Sequence, residues 1–236
     1  MQYYQIKDYV REHFGRTGIP TSFLDLALES ARLEIENHAN FWWMQTETTF
    51  SLVDGTQTYA IGDGSAIDIA RFKDAKALHW RASGSDTSWE PVMLGVMEKD
   101  ELDLLYDTDD TGDPEYAVIV DNTLYVYPPD PNSTQSMKLF HYSYTSNPAQ
   151  TSSDDLTKNF PMALIYSALA QGYELELKDI QGAQYWRGLL MGQILKIKHE
   201  HLKRGWKDQI IFPPRHGPVI GKRRLDNLQI YGDRVS

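Results

Sequence analysis

Between residues 46 and 147 the apolar side chains fall on alternate positions, and on either side of that stretch they recur every three or four. A strand repeats its faces every second residue and a helix about every 3.6, so neither pattern can be folded as the other. The chain is therefore constrained to helices at both ends and strands between them. In YYQIKDYVREHF (3–14), Tyr3, Ile6, Val10 and Phe14 share a helical face, and Gly15 and Gly18 stop the pattern. A second helix is predicted over 21–43, N-capped by Thr21 or Ser22, with Asp25 in the first turn and Leu24, Leu28, Ala31, Ile35 and Ala39 as its stripe. It runs into Phe41, Trp42 and Trp43, which read as a lid where the helix meets the next layer, because aromatic side chains carry large buried areas.

In the middle segment, TETTFSLV and TQTYAI flank a turn at Asp54 and Gly55. ARFKDAKALHW and SWEPVML predict two more strands, joined by the polar loop RASGSDTS. AVIV-DN-TLYVYP predicts a hairpin with Asp121 and Asn122 at its tip, where positive φ is needed and Asn tolerates it. MKLFHYSY alternates, with Phe140, Tyr142 and Tyr144 on one side, and a short helix is expected over 97–106. After the polar spacer TSNPAQTSSDDLT, Pro161 suits a helix start, and Met162, Ile165, Tyr166, Leu169 and Tyr173 form a stripe. A last long helix follows Lys178 and Asp179 and runs to about Arg204, with Trp186, Leu189, Leu190, Ile194 and Ile197 on its apolar side. The expected fold class is α+β. A helical bundle is built from the N- and C-terminal helices (1–45 and 155–206), an antiparallel β-sandwich or barrel is inserted (46–154), and an extended C-terminal arm follows (207–236).

Charge is unevenly spread over the 236 residues, whose net is −10. Residues 203–236 carry eight Lys and Arg against three Asp, a net of +5, which leaves 15 basic and 30 acidic residues, or −15, in 1–202. An acidic body repels phosphate at close range, so it does not read as a surface that grips nucleic acid. There is no Cys, which removes disulfides, thiolate metal sites and a Cys nucleophile. No secretory leader and no membrane-spanning run are predicted.

No active site is read from the sequence. Asp107, Asp109 and Gly112 match the start of a calcium loop, but Val118 stands where the bidentate Glu is required, and Pro114 disturbs the loop. His199 and His201 are two apart and diverge on a helix, whereas a helical zinc pair needs a spacing of four. Gly62, Asp63 and Gly64 lead into a strand, not a helix, and cradle no phosphate. No catalytic residue, cofactor site or metal site is assigned, and the chain is read as no enzyme.

The order of several fragments resembles the head-to-tail adaptor (connector) proteins of short-tailed bacteriophages, the tail tubular A-like group. They are LALESARLEIENHANFWW leading into a strand, the return strand GTQTYAI, the hairpin ending LYVYPPDP, the strand MKLFHYSYTSNPA, and FPMALIYSALAQGYELELKDIQGAQYWRGLLMGQI. One departure is that Ala60, Ile61, Gly62 and Asp63 stand where such proteins often carry Leu-Pro-x-Asp. The resemblance implies a structural virion protein made in the host cytoplasm. It would form a homo-oligomeric ring of twelve copies between the portal protein and the tail nozzle protein, with DNA passing through the lumen.

The final thirty residues are the candidate partner-docking element. Ile210, Ile211 and Phe212 suit addition to a sheet edge; Ile220, Leu225, Leu228, Ile230 and Tyr231 supply apolar anchors; Lys222, Arg223 and Arg224 suit an acidic partner. Prolines and glycines forbid one long helix there, so the segment is expected to dock on the portal or on a neighbouring copy. Two other readings compete. The first is a tail-tip receptor or carbohydrate-binding β-domain, with Trp80, Trp89, Tyr125, Tyr127 and Tyr142 as stacking platforms, or another virion assembly protein. The second is a metal-dependent enzyme using the acidic 107–115 loop.

Overall fold

The computed structural model describes residues 1–14, 20–82, 87–106, 110–129 and 135–208. The fold is mixed helix and sheet, with six α-helices and eight strands among the described residues. The compact unit Met1–Ile197 holds all the strands and most of the helices. The second unit begins at Lys198, and its described residues continue the last helix.

The N-terminal helices are α1 (Tyr3–His13) and α2 (Thr21–Asn37). Tyr3, Ile6, Val10 and Phe14 are buried as their spacing predicts. The N-cap of α2 is Pro20, not Thr21 or Ser22, and no side chain caps it. The helix also stops earlier than the predicted residue 43. Lys73 reaches from the sheet to donate to the Glu36 carbonyl and, at 2.7 Å, to the Ala39 carbonyl, taking up acceptors that a helix end leaves unpaired. Trp42–Met44 then form one 3-10 turn. Phe41 is buried and stacks on Trp43 at 4.5 Å between ring centroids, and both pack in the helical core, so the expected aromatic lid is present.

The strands are β1 (Gln45–Ser51), β2 (Thr58–Gly62), β3 (Ile67–Asp68), β4 (Phe72–Arg81), β5 (Glu90–Leu94), β6 (Tyr116–Val120), β7 (Thr123–Tyr127) and β8 (Ser136–Ser143). They pair in the order β1-β8-β4-β5-β6-β7-β2-β3. The two end strands approach within 8 Å at their Cα atoms, so the sheet is a nearly closed barrel. Most pairs are antiparallel, but β5 runs parallel to β6 and β2 parallel to β3, which corrects the all-antiparallel expectation. A parallel pair needs a crossover connection, and α3 (Lys99–Leu105) supplies part of it between β5 and β6. At the β6–β7 tip Asp121 and Asn122 have φ of 49° and 58°, the left-handed pair that a tight hairpin turn demands.

Two main cores result. The barrel core gathers Phe50, Leu78, Trp80, Leu124, Met137 and Leu139 among others. The helical core joins α1 and α2 to the C-terminal helices α4 (Asp155–Asn159), α5 (Pro161–Leu175) and α6 (Ile180–Asp208). Pro161 takes the first position of α5 as expected. Helix α5 is buried on nearly every side, not on one stripe: Ala163, Leu164, Ile165, Ala168 and Leu169 are all inside. Gly172 makes this possible, because a Cβ there would lie 2.1 Å from the Phe14 ring. Along β8, Met137 and Leu139 enter the barrel core, whereas Tyr142 and then Tyr144 pack against the helical core. Tyr142 and Tyr144 thus contact the helices, whereas the Phe140 ring meets His79 of β4 at 5.2 Å.

Candidate assembly surface

A polar joint fixes the helices to the sheet. Where the chain leaves β8, the Thr145 amide donates to Glu36 at 3.0 Å and its hydroxyl donates to the same carboxylate at 2.5 Å. Arg32 donates to the Thr145 hydroxyl at 2.8 Å and forms an ion pair with Asp154 at 2.6 Å. Both Arg32 and Glu36 are 0 % exposed, and the Trp43 indole also donates to Glu36, at 3.1 Å. Tyr144 donates to Asn37 at 2.7 Å, and Asn147 to the Asp25 carbonyl at 3.0 Å. Asp25 also accepts from Lys7 at 2.8 Å and from the Tyr3 hydroxyl at 3.1 Å. Burial first, and then the Asp25 charge, push the Tyr3 phenol well above its usual range. Asp154 caps α4 by accepting from the Thr157 amide. Burial raises its pKa, but the Thr157 amide and the Arg32 charge outweigh that and hold the carboxyl below its usual range.

In the sheet, His141 is buried with Thr48 Oγ1 at 3.0 Å from Nε2 and Ser143 Oγ at 3.0 Å from Nδ1, and the Phe72 ring lies 6.0 Å away. Burial lowers its pKa, and a backbone hydrogen bond at Tyr142 offsets this only in part. His79 is lowered too, by burial and then by Lys138. The unfolded chain binds these protons more readily, so the stability they confer is complete above about pH 6.5 and is lost as pH falls through the folded values. Thermal melts of the wild type from about pH 7.5 down to about pH 5.5 will show a falling Tm, and His141→Gln will flatten the fall. An unchanged slope in the variant would remove His141 from this account.

Little of the chemistry weighed in the sequence is free to act. Of the five aromatic platform candidates, Trp80 and Tyr127 are buried and Tyr142 is half-buried against the helices. Arg81 lies 4.7 Å and Lys138 4.8 Å from the Trp89 ring centre, and Lys99 lies 5.0 Å from that of Tyr125. The rings are therefore engaged with this chain's own cations and do not form an open stacking shelf. Asp107 and Asp109 lie outside the described residues. Of their neighbours, Asp113 accepts from Gln135 at 3.3 Å and Glu115 from Tyr106 at 3.3 Å. No group of three or more His, Asp or Glu arranged to hold a metal occurs among the described residues. All eleven candidate docking residues, Ile210 to Tyr231, lie outside them as well.

What the fold does leave open is a face of α6. Ala183, Leu190, Ile194 and Ile197 bury one side of the helix, as the predicted stripe requires. Ile180, Gln184, Gly188, Met191 and Leu195 line another side, and all are exposed. Added Cβ atoms at Gly188 and Gly192 would meet nothing within 4 Å, in contrast to Gly172. Beside α6 an open groove of about 370 Å³ is lined by Ser30, Glu34, Gln171, Glu174, Leu175 and Arg187. Ser167 donates to Glu34 at 2.5 Å, and Arg187 pairs with Glu174. Leu26, Leu175, Ile180 and Leu195 are each 65–67 % exposed, and Tyr185 and Met191 of α6 are exposed as well. This face flanks the predicted stripe, and sequence reasoning did not single it out.

Comparison with protein families matches residues 1–208 to the SU10 adaptor protein family. The chain belongs to that family. The match spans every described element of the adaptor, and it bears out the resemblance to phage head-to-tail adaptors. The family is one of structural virion proteins and not a known enzyme family. It also implies a place in the virion among other head and tail components. No helix among the adaptor's described residues is long and apolar enough to cross a membrane. A search of curated proteins gives no match.

Proposed function

We propose that this chain is the subunit of a ring at the head-to-tail junction, probing neither receptor nor substrate but joining the portal to the tail nozzle around the path of the DNA. The family match over residues 1–208 carries this reading. The helices form the ring's frame, the barrel over 46–154 projects from it, and the segment 207–236 docks on the portal or on the next copy. That segment's Ile210, Ile211 and Phe212 add as a strand to an exposed sheet edge, and Lys222, Arg223 and Arg224 set its register against acids. Twelve copies is the number that resemblance to short-tailed phage adaptors implies, and repeated weak docking contacts add up through effective concentration. A net charge of −10 suits a conduit along which phosphate must slide without sticking.

The test removes residues 209–236 and asks two questions. The truncated protein should melt like the full chain, because every described element is retained. It should nonetheless fail to join filled heads to tails when supplied in place of the full protein. Completed, infectious particles built on the truncated chain would overturn the docking role. Purified full-length protein that never exceeds monomer mass, with or without portal, would overturn the ring.

A further inference from the structure

The short helix α3 is fixed to the barrel on one side and bare on the other. Leu102 is buried with Val118 and Tyr127, and the Tyr127 hydroxyl donates to Asp103 at 2.5 Å. On the far side Asp100, Glu101, Leu104 and Leu105 follow one another at spacings of three and four, so they share a face, and all four are exposed. Leu104 is 90 % exposed, the most of any large apolar side chain among the described residues, and Leu105 is 57 % exposed. Lys99, the helix's own cation, is paired with Asp103. Among the described residues no ion pair engages Glu98, Asp100 or Glu101. The face is therefore a pair of leucines bordered by acids that this part of the chain leaves without a cation.

We propose that this face of α3 is the seat of residues 222–231 from a second copy of the chain. That stretch, KRRLDNLQIY, sets three cations directly ahead of Leu225 and Leu228, the counterpart of acids set one turn ahead of Leu104 and Leu105. The whole segment 209–236 carries five Lys and Arg against two Asp, a net of +3. The other exposed apolar face, on α6, belongs to a helix with six basic and two acidic side chains, so like charge steers the segment away from it. Thirteen residues lie between Asp208 and Lys222, a reach of roughly 45 Å when extended, enough to cross to an adjacent subunit. A contact between two different surfaces runs head to tail, and such contacts close into rings when the rotation closes. The inference rests on the ring reading above and names the acids against which the segment takes its register.

The absence of native Cys makes the contact directly testable by cross-linking. Leu105→Cys and Leu228→Cys are prepared separately in the full chain, so any disulfide must join two copies. Mild oxidation of the mixture should give a linked dimer, and neither variant alone should. Leu26→Cys, on the exposed side of α2, is the control and should not link to Leu228→Cys. Asp100→Lys and Arg223→Glu should each weaken self-association about tenfold, and the two together should recover most of the loss. Melting curves of these variants should stay within about 2 °C of the wild type, because both changes are at surface charges. Four results would overturn the proposal. Equal linkage of Leu228→Cys to Leu26→Cys would show no preferred seat, and a Leu228→Cys dimer formed alone would set segment against segment. Losses that simply add in the double variant, or rings that form without the mixed cross-link, would keep the ring and move the segment's seat to the portal or to another surface. A protein that stays monomeric at every concentration and in the presence of portal would remove the ring itself, and this seat with it.

Discussion

Arg32→Ala will cost about 3–5 kcal/mol of folding stability, the range expected when one partner of a buried charge pair is removed. The substitution leaves the Thr145 hydroxyl without its Arg32 donor, strips Asp154 of its ion pair, and opens a cavity beside α2. In a fold of this size each kcal/mol moves Tm by roughly 2–4 °C, so melts should drop by roughly 6–20 °C. Asp154→Asn should cost less, because the amide still caps α4 and the carboxylate is partly exposed. The double variant should lose less than the sum of the two singles, which would locate the coupling in the pair. A Tm loss of under 2 °C for Arg32→Ala would mean that the joint is decorative and that packing alone holds helices to sheet.

Ile165→Ala should cost about 2–5 kcal/mol through lost burial and the cavity left behind. Ile165 is 0 % exposed in the middle of α5, which is packed on nearly every side by α1, α2 and α6, so its surroundings have little room to collapse inward. Leu175→Ala, ten residues along the same helix, should change stability by no more than about 0.5 kcal/mol, because that side chain is largely in water. Urea titration of both variants reads the contrast. Similar losses at the two positions would contradict the helical core as described, and a loss of particle assembly in Leu175→Ala without a loss of stability would support the groove as a contact.

The change of period at residue 46 and its return near 160 placed the elements well, because amphipathic spacing is a local signal. The hairpin tip at Asp121 and Asn122 was legible for the same reason: the turn's backbone dictates its residues. What stayed hidden depends on contacts distant in sequence. The carbonyls at the early end of α2 are bonded by Lys73, more than thirty residues away, and the parallel β5–β6 pairing needs a crossover that no residue pattern announces. The joint brings Arg32 to Asp154 across 122 positions, so nothing local marked either residue. Phe140, Tyr142 and Tyr144 were read as one face of a strand, but alternation does not say which face turns toward the barrel. On α6 the strongest apolar stripe marks the buried side and carries no information about the exposed one. The weaker pattern through Met191 and Leu195 is legible only once the opposite side is known to be buried.

The helical core is assembled from residues near both ends of the described chain, whereas the strands are drawn from one continuous run, 45–143. On the ribosome this imposes an order. At about 5–20 residues per second, α1 and α2 emerge many seconds before α5 exists to cover them. The barrel has all its strands by then and closes first, while the greasy sides of the two leading helices wait for company. Proteolysis of ribosome-stalled chains just long enough to bring β8, but not α5, out of the exit tunnel should spare 45–143 and cut within 1–44; equal protection of both would refute the sequence of events. Until its last long helix is made, the newborn protein is a finished barrel trailing two sticky helices, and holding those apart in a crowded, infected cell is work for chaperones.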